Sequence, residues 1–184
     1  MRGLSTAIGV VFALVTGLSV PAITLEIDDA TATPGTFVST DVDIVVTVDE
    51  DVSAIQFDLL FDNDALRIAN VSIGDGSVAA GKELSTIAQP DGTTRVLLVG
   101  FNQNRYESGT IAIPQFEVLV GTAAGDYMIT LINVQLSDPF GFSLDAQVNP
   151  GTILVAEGEG EGEGEGEGEG EGEGEGEGEG EGEG

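Results

Sequence analysis

Ala54-Ile55-Gln56-Phe57-Asp58-Leu59-Leu60-Phe61 is the stretch on which the fold turns. Ile55, Phe57, Leu59 and Phe61 are apolar at every second position, and Gln56, Asp58 and Leu60 fill the positions between. A strand sends successive side chains to opposite faces, so this period of two belongs to a strand and not to a helix. The four apolar side chains are expected in a core, and Gln56, Asp58 and Leu60 on an outward face. Asp62-Asn63-Asp64 ends the strand, because short polar side chains bond their own backbone in turns. A short helical turn is expected at Ala65-Leu66, then a second strand over 67–73.

The alternation extends both ways. Upstream, Ile23, Leu25 and Ile27 alternate with Thr24, Glu26 and Asp28. Val42, Ile44, Val46 and Val48 alternate with Asp41, Asp43, Val45, Thr47 and Asp49. Pro34-Gly35 places a turn between the two, since proline fixes φ and glycine allows positive φ. Downstream, Gly74, Gly76 and Gly81 mark a loop, closed by the opposite charges of Lys82 and Glu83, before a short strand over 84–88. Gln89-Pro90-Asp91-Gly92 is a hairpin turn. It leads into the apolar run 95–101, a strand covered on both sides or one with an apolar outer face.

Over 110–120 the parity breaks, with Ile111 and Ile113 before Pro114 and Phe116, Val118 and Val120 after it. A bulge or an edge position would accommodate the missing N–H of the proline. Tyr127, Ile129 and Leu131 alternate, and parity shifts again to Val134 and Leu136. Asp138-Pro139 and Asn149-Pro150-Gly151 are turns, and a last short strand covers 152–155. About nine short strands with turns between them, and no amphipathic helix of ordinary length, specify an all-β fold. The expected architecture is a two-sheet antiparallel β-sandwich, jelly-roll-like.

The two ends of the 184-residue chain read differently. Arg2, the apolar run 7–15 and Val20-Pro21-Ala22 have the layout of a secretory signal peptide over 1–22. That run is shorter than the roughly 20 residues a membrane-spanning helix needs. From Glu157 to Gly184, Glu-Gly repeats 14 times. Without apolar side chains such a segment cannot offset its ordering entropy by burial, so a disordered tail or linker is expected over 157–184. The folded domain is then 23–156, a size that carries one core. The signal predicts an extracellular or cell-surface location, with no membrane insertion after cleavage.

There are 33 Asp and Glu against five Lys and Arg, a net charge of −28. Nucleic acid and anionic membrane surfaces would be repelled. There is no Cys and no His. Stability must come from the core and the sheets, not from disulfides. No Ser-His pair, Cys nucleophile, imidazole base or typical zinc site can be assembled. Paired carboxylates can hydrolyse glycosides, but there is no Trp, and Tyr106 and Tyr127 are the sole tyrosines, so a ring platform for a sugar is missing. Asp28-Asp29, Asp49-Glu50-Asp51 and Asp62-Asn63-Asp64 lack calcium-loop spacing and read as surface turns. No catalytic residue, cofactor or metal site is expected, and the function class is binding.

Across 24–155 the order of these pieces resembles a cohesin module. Thr33-Pro34-Gly35-Thr36 is similar to the family's turn before its second strand. The stretch 52–66 resembles the family's third strand with its aromatic-Asp-Pro-x-x-Leu end; Phe61 and Asp62 match, and Asn63 stands where proline is usual. The run 95–101 resembles the apolar sixth strand. Gly125-Asp126-Tyr127-Met128-Ile129-Thr130-Leu131 is similar to Gly-x-Tyr-x-Ile-x-Phe, and Gly151-Thr152-Ile153-Leu154-Val155 to the closing Gly-x-Ile-x-Val.

The resemblance implies a non-catalytic module that binds a dockerin-type protein, with calcium carried by that partner. It implies assembly of extracellular polysaccharide-degrading or cell-surface complexes. The same sandwich superfamily contains carbohydrate-binding modules, so direct binding of polysaccharide is the alternative, and fold alone does not choose. In the family one sheet face takes the dockerin. Carried over by position, Gln56, Asp58 and Leu60 come from the outward side of the third strand, and Asn102 and Gln103 from the end of the sixth. Polar groups around an exposed leucine suit a protein interface.

Overall fold

The computed structural model describes residues 23–47 and 50–157. The expectations for the signal segment, for Val48 and Asp49 and for the repeat beyond Glu157 lie outside the described residues. Within them the chain runs β1 (Ile23–Ile27), β2 (Ala30–Ala32), β3 (Phe37–Ser39), β4 (Val42–Val46), β5 (Ala54–Leu60) and β6 (Leu66–Ile73). A short helix α1 (Asp75–Ala79) follows, then β7 (Glu83–Ala88), β8 (Thr94–Val99), β9 (Gly109–Val118) and β10 (Gly125–Ser137). The last strands are β11 (Ser143–Leu144), β12 (Gln147–Asn149) and β13 (Gly151–Val155). The excess over the strand count expected from sequence lies in β2, β3, β11 and β12, which are too short to display an alternation.

Two sheets face each other. The first runs β12-β1-β4-β9, with β3 taking over beside β9 where β4 ends and β6 on the other edge of β9. The second runs β2-β13-β10-β5-β8-β7, with β11 against the far half of β10. The pairs are antiparallel except β1 with β12 and β2 with β13, where an N-terminal strand lies parallel to a C-terminal one.

The alternation of β5 holds: Ile55, Phe57 and Leu59 are buried. They meet Leu25, Ile44, Ile111 and Phe116 of the opposite sheet in one core. Phe61 packs edge-on against Phe116, ring centres 5.3 Å apart at 78°, the arrangement that aromatic quadrupoles favour. A turn does follow β5, but over 63–65 and not at Ala65-Leu66: the Leu66 N–H closes it on the Asp62 carbonyl at 2.8 Å, and Leu66 already opens β6.

Four expectations need correction. Pro114 lies inside β9, not at an edge, with Val71 of β6 beside it. On the other side β3 stops at Ser39 and β4 begins at Val42, so the missing N–H falls opposite a gap between two strands. The parity break precedes the proline, at Ile111-Ala112, where the register with β4 shifts; Ile113 is then only half-buried. Val120 lies past the end of β9 and is exposed, not core. The glycine-rich loop after β6 contains α1, which Gly74 lets settle on β9: a Cβ there would stand 2.4 Å from the Thr110 carbonyl oxygen.

Candidate functional site

The second sheet turns one face to the core and the other outward. Register places Asp58 between Arg95 of β8 and Ile132 of β10, and Arg95 next to Ile87 of β7. Gln56 lies between Leu97 and Gln135, and Leu60 opposite Thr130. Gln56, Asp58 and Leu60 therefore share the outward side, as the alternation requires. Exposed Ile87, Val99, Met128 and Leu154 also belong to strands of this sheet.

The three candidates differ in accessibility. Leu60 is 40 % exposed and Gln56 is half-buried, but Asp58 is 1 % exposed although it points away from the core. Its expected accessibility is thus corrected. The cause is a roof of side chains. Arg95 donates from Nε to Oδ1 at 2.7 Å and from Nη2 to Oδ2 at 2.8 Å. Asn133 adds its Nδ2 to Oδ2 at 2.8 Å. The bonds from Arg95, then Asn133, hold the Asp58 carboxyl below its ordinary range against the opposing effect of burial. Asp58 in turn raises the guanidinium pKa. What this spot shows to a partner is Arg95, whose side chain is 34 % exposed, and Asn133.

Asn133 reaches Asp58 because β10 bulges there. The register against β5 slips between Ile132 and Gln135, and Asn133 takes φ 51°. That left-handed conformation favours asparagine among side-chain-bearing residues. Beside the bulge, Ala54, Gln56, Leu97, Gln135, Ser143 and Leu144 line an open hollow of about 370 Å³.

The other two candidates sit at the end of β8. Asn102 is engaged on both sides of its amide: Nδ2 donates to the Gly81 carbonyl at 2.7 Å, and Oδ1 accepts Lys82 Nζ at 2.9 Å and the Asn104 N–H at 3.0 Å. Lys82 does not pair with Glu83 as expected. It is buried, with Nζ also donating to Ser53 Oγ at 3.2 Å and lying 5.9 Å from the centre of the Tyr106 ring. Burial lowers its pKa and pushes the Tyr106 phenol up to about 12. Gln103 is exposed and donates from Nε2 to the Pro139 carbonyl at 3.2 Å.

That bond joins two loops carrying exposed aromatic rings. Phe101 follows β8; Phe140 and Phe142 lie in the turn after β10, and all three are exposed. Asp138 Oδ1 accepts the N–H groups of both Phe140 and Phe142 at 2.8 Å, which fixes the turn. Among the described residues no three acidic side chains gather where a cation could be held.

The model of the cohesin domain matches residues 23–155. The chain belongs to the cohesin family. Solved cohesins share its fold. A non-cellulosomal cohesin from the archaeon Archaeoglobus fulgidus is 19 % identical, with TM-score 0.62 over 73 % of this chain and 91 % of that one. The seventh ScaB type I cohesin of Pseudobacteroides cellulosolvens is 21 % identical, with TM-score 0.64 over 76 % and 95 %. The sixth cohesin of Acetivibrio cellulolyticus scaffoldin B, in complex with a Cel5 dockerin mutant, is 18 % identical, with TM-score 0.66 over 73 % and 99 %. At these identities the likeness is one of fold. No curated protein matches the sequence significantly.

In this cohesin, sequence reasoning missed Arg95, Asn133 and the three phenylalanines. Arg95 read as the start of an apolar run, and its register against Asp58 is a tertiary fact. Asn133 sat unremarked at the parity shift between Leu131 and Val134. Phe140 and Phe142 carried a usable signal: they flank Gly141 in a turn, where no alternation can bury them. Phenylalanine offers a ring face as Trp and Tyr do, without their polar group.

Proposed function

We propose that this cohesin is a non-catalytic docking module whose outward face on β7, β8, β5 and β10 binds a dockerin-type protein domain. One observation carries this: the middle of that face is apolar and charge-paired on a domain that is otherwise strongly acidic. Leu60, Ile87 and Leu97 surround the Asp58–Arg95 pair, whereas 23–156 holds 19 Asp and Glu against four Lys and Arg. A desolvatable centre within a charged rim is the anatomy of a protein interface. Family membership supports the same reading, as do relatives solved with dockerins, among them the Clostridium thermocellum Coh-OlpC–Doc435 complex. Calcium then belongs to the partner. The module would act outside the cell or at its surface, exported through the N-terminal segment, in complexes that degrade polysaccharide or decorate the cell.

A second reading, direct binding of polysaccharide, is favoured by the exposed Phe101, Phe140 and Phe142, since ring faces can stack on sugars. The test titrates the full chain with calcium-loaded recombinant dockerins encoded in the same genome, and in parallel measures its retention on insoluble cellulose and chitin. Saturable dockerin binding that Leu60→Asp weakens by more than about 1 kcal/mol is expected. Retention on the glycans with no dockerin bound would replace the docking function by the second reading.

A further inference from the structure

We infer that Arg95 is the polar anchor of the docking face, donating from Nη1 to an uncharged carbonyl oxygen of the dockerin-type partner; this rests on the proposed docking function. Three observations meet at this residue. First, Asp58 is an outward carboxylate with almost no exposed surface, so it serves its neighbours and not solvent. Second, the fork to Asp58 uses Nε and Nη2, and Asn133 bonds the same carboxylate. A fork through those two nitrogens leaves Nη1 on the far side of the guanidinium, and among the described residues no acceptor engages it. Third, Ile87, Leu97 and Ile132 flank the pair.

Arginine is enriched among residues that dominate interfaces, most of all at centres ringed by contacts that exclude water. A free arginine loses much rotamer freedom on binding. One already locked by a planar fork loses less, so its hydrogen bond contributes more to affinity. The chemistry of the acceptor follows from charge. Asp58 already neutralises Arg95, and the acidic domain repels carboxylates. An uncharged oxygen takes a charge-assisted bond there without that repulsion.

The experiment uses the full chain and a calcium-loaded dockerin module encoded in the same genome, with affinity read by calorimetry and folding by thermal melting. Arg95→Met alone would strand the buried Asp58 carboxylate and endanger the fold. The informative variants are the pair Asp58→Leu with Arg95→Met, which replaces the ion pair by apolar groups of similar size, and Arg95→Lys, which keeps the charge but not the fork. Both are expected to fold, and the double variant to lose about 30-fold or more in affinity, as loss of a hot spot does. The loss should be the same at low and high salt, because the acceptor carries no charge.

Wild-type affinity in either variant, beside a weakened Leu60→Asp, would overturn the anchor and leave the docking face standing. A loss that shrinks at high salt would assign the acceptor to a carboxylate and overturn the uncharged one. Absence of binding by the wild type overturns the docking function and the anchor together.

Discussion

Phe57 has no exposed surface and sits at the centre of the core. Phe57→Ala is expected to cost about 3–5 kcal/mol, the transfer loss plus a cavity that rigid sheets cannot close, measured by denaturant unfolding. Next to it in the chain, Asp58 and its partner Arg95 should respond unequally. Removing Arg95 leaves a carboxylate with almost no exposed surface and without its main partner, so Arg95→Met should be the more destabilising change. Removing Asp58 leaves a guanidinium that can already reach water, so Asp58→Leu should cost less. Equal losses would show that the roof over Asp58 is more open than its geometry implies.

The pH response follows from the same pair. The Asp58 pKa is lowered in the fold from its ordinary 3.8, so its stabilisation is complete above that value and is lost as pH falls through it and below. Melting temperature should therefore drop more steeply on acidification in the wild type than in the double variant. At the alkaline end, the folded Tyr106 phenol titrates near 12, against an ordinary 10.0. The folded state holds its proton longer, so stability falls as pH rises from 10.0 towards 12. Tyr106→Phe should abolish the late tyrosinate step in the ultraviolet difference spectrum.

At the scale of the element, β10 contains the most consequential irregularity. Asn133→Gly keeps the positive φ and loses the bond to Asp58. Asn133→Val loses the bond and must also strain, at roughly 1–2 kcal/mol for a left-handed β-branched residue. Chemical denaturation should rank wild type above glycine and glycine above valine; valine at or above glycine would mean that the bulge shifts register freely. The bulge itself was legible, because Leu131 and Val134 cannot share a face without one. The identity of the inserted residue was not, since either position between them could have taken the left-handed conformation.

The same contrast runs through the fold. β5 could be read because one face is wholly apolar. Asp58 could be placed on the outward face by parity, yet its burial depends on Arg95, 37 residues later, and local spacing holds no record of which strand becomes a neighbour. Pro114 was recognised as a disturbance. Its location beside a break in the neighbouring strands follows from two short segments, β3 and β4, lying end to end. Lys82 next to Glu83 looked like a surface pair until the strand carried them to opposite environments, one buried and one exposed.

At the scale of the whole molecule, Val155 is the last core side chain among the described residues, and the Ala156 N–H reaches the Ala32 carbonyl at 2.8 Å. The Glu-Gly repeat beyond holds no apolar group to add to that core. A chain ending at Ala156 should melt within a degree or so of the full chain, because surface changes away from packed features move stability by about 0.5 kcal/mol or less. A large drop on deletion would mean that the repeat contacts the domain.

The two parallel pairs at the sheet edges bear on a different property. β13 runs alongside β2, with Ile153, Leu154 and Val155 abreast of Ala30, Thr31 and Ala32, and β12 runs alongside β1. A pull on the two ends of the domain draws the first strand of each pair one way and the last strand the other, along their common axis. Their hydrogen bonds are then loaded in shear and must yield together, where a hairpin pulled open at its mouth would release them one after another. The pairs that join the beginning of the domain to its end are therefore the ones that resist its extension.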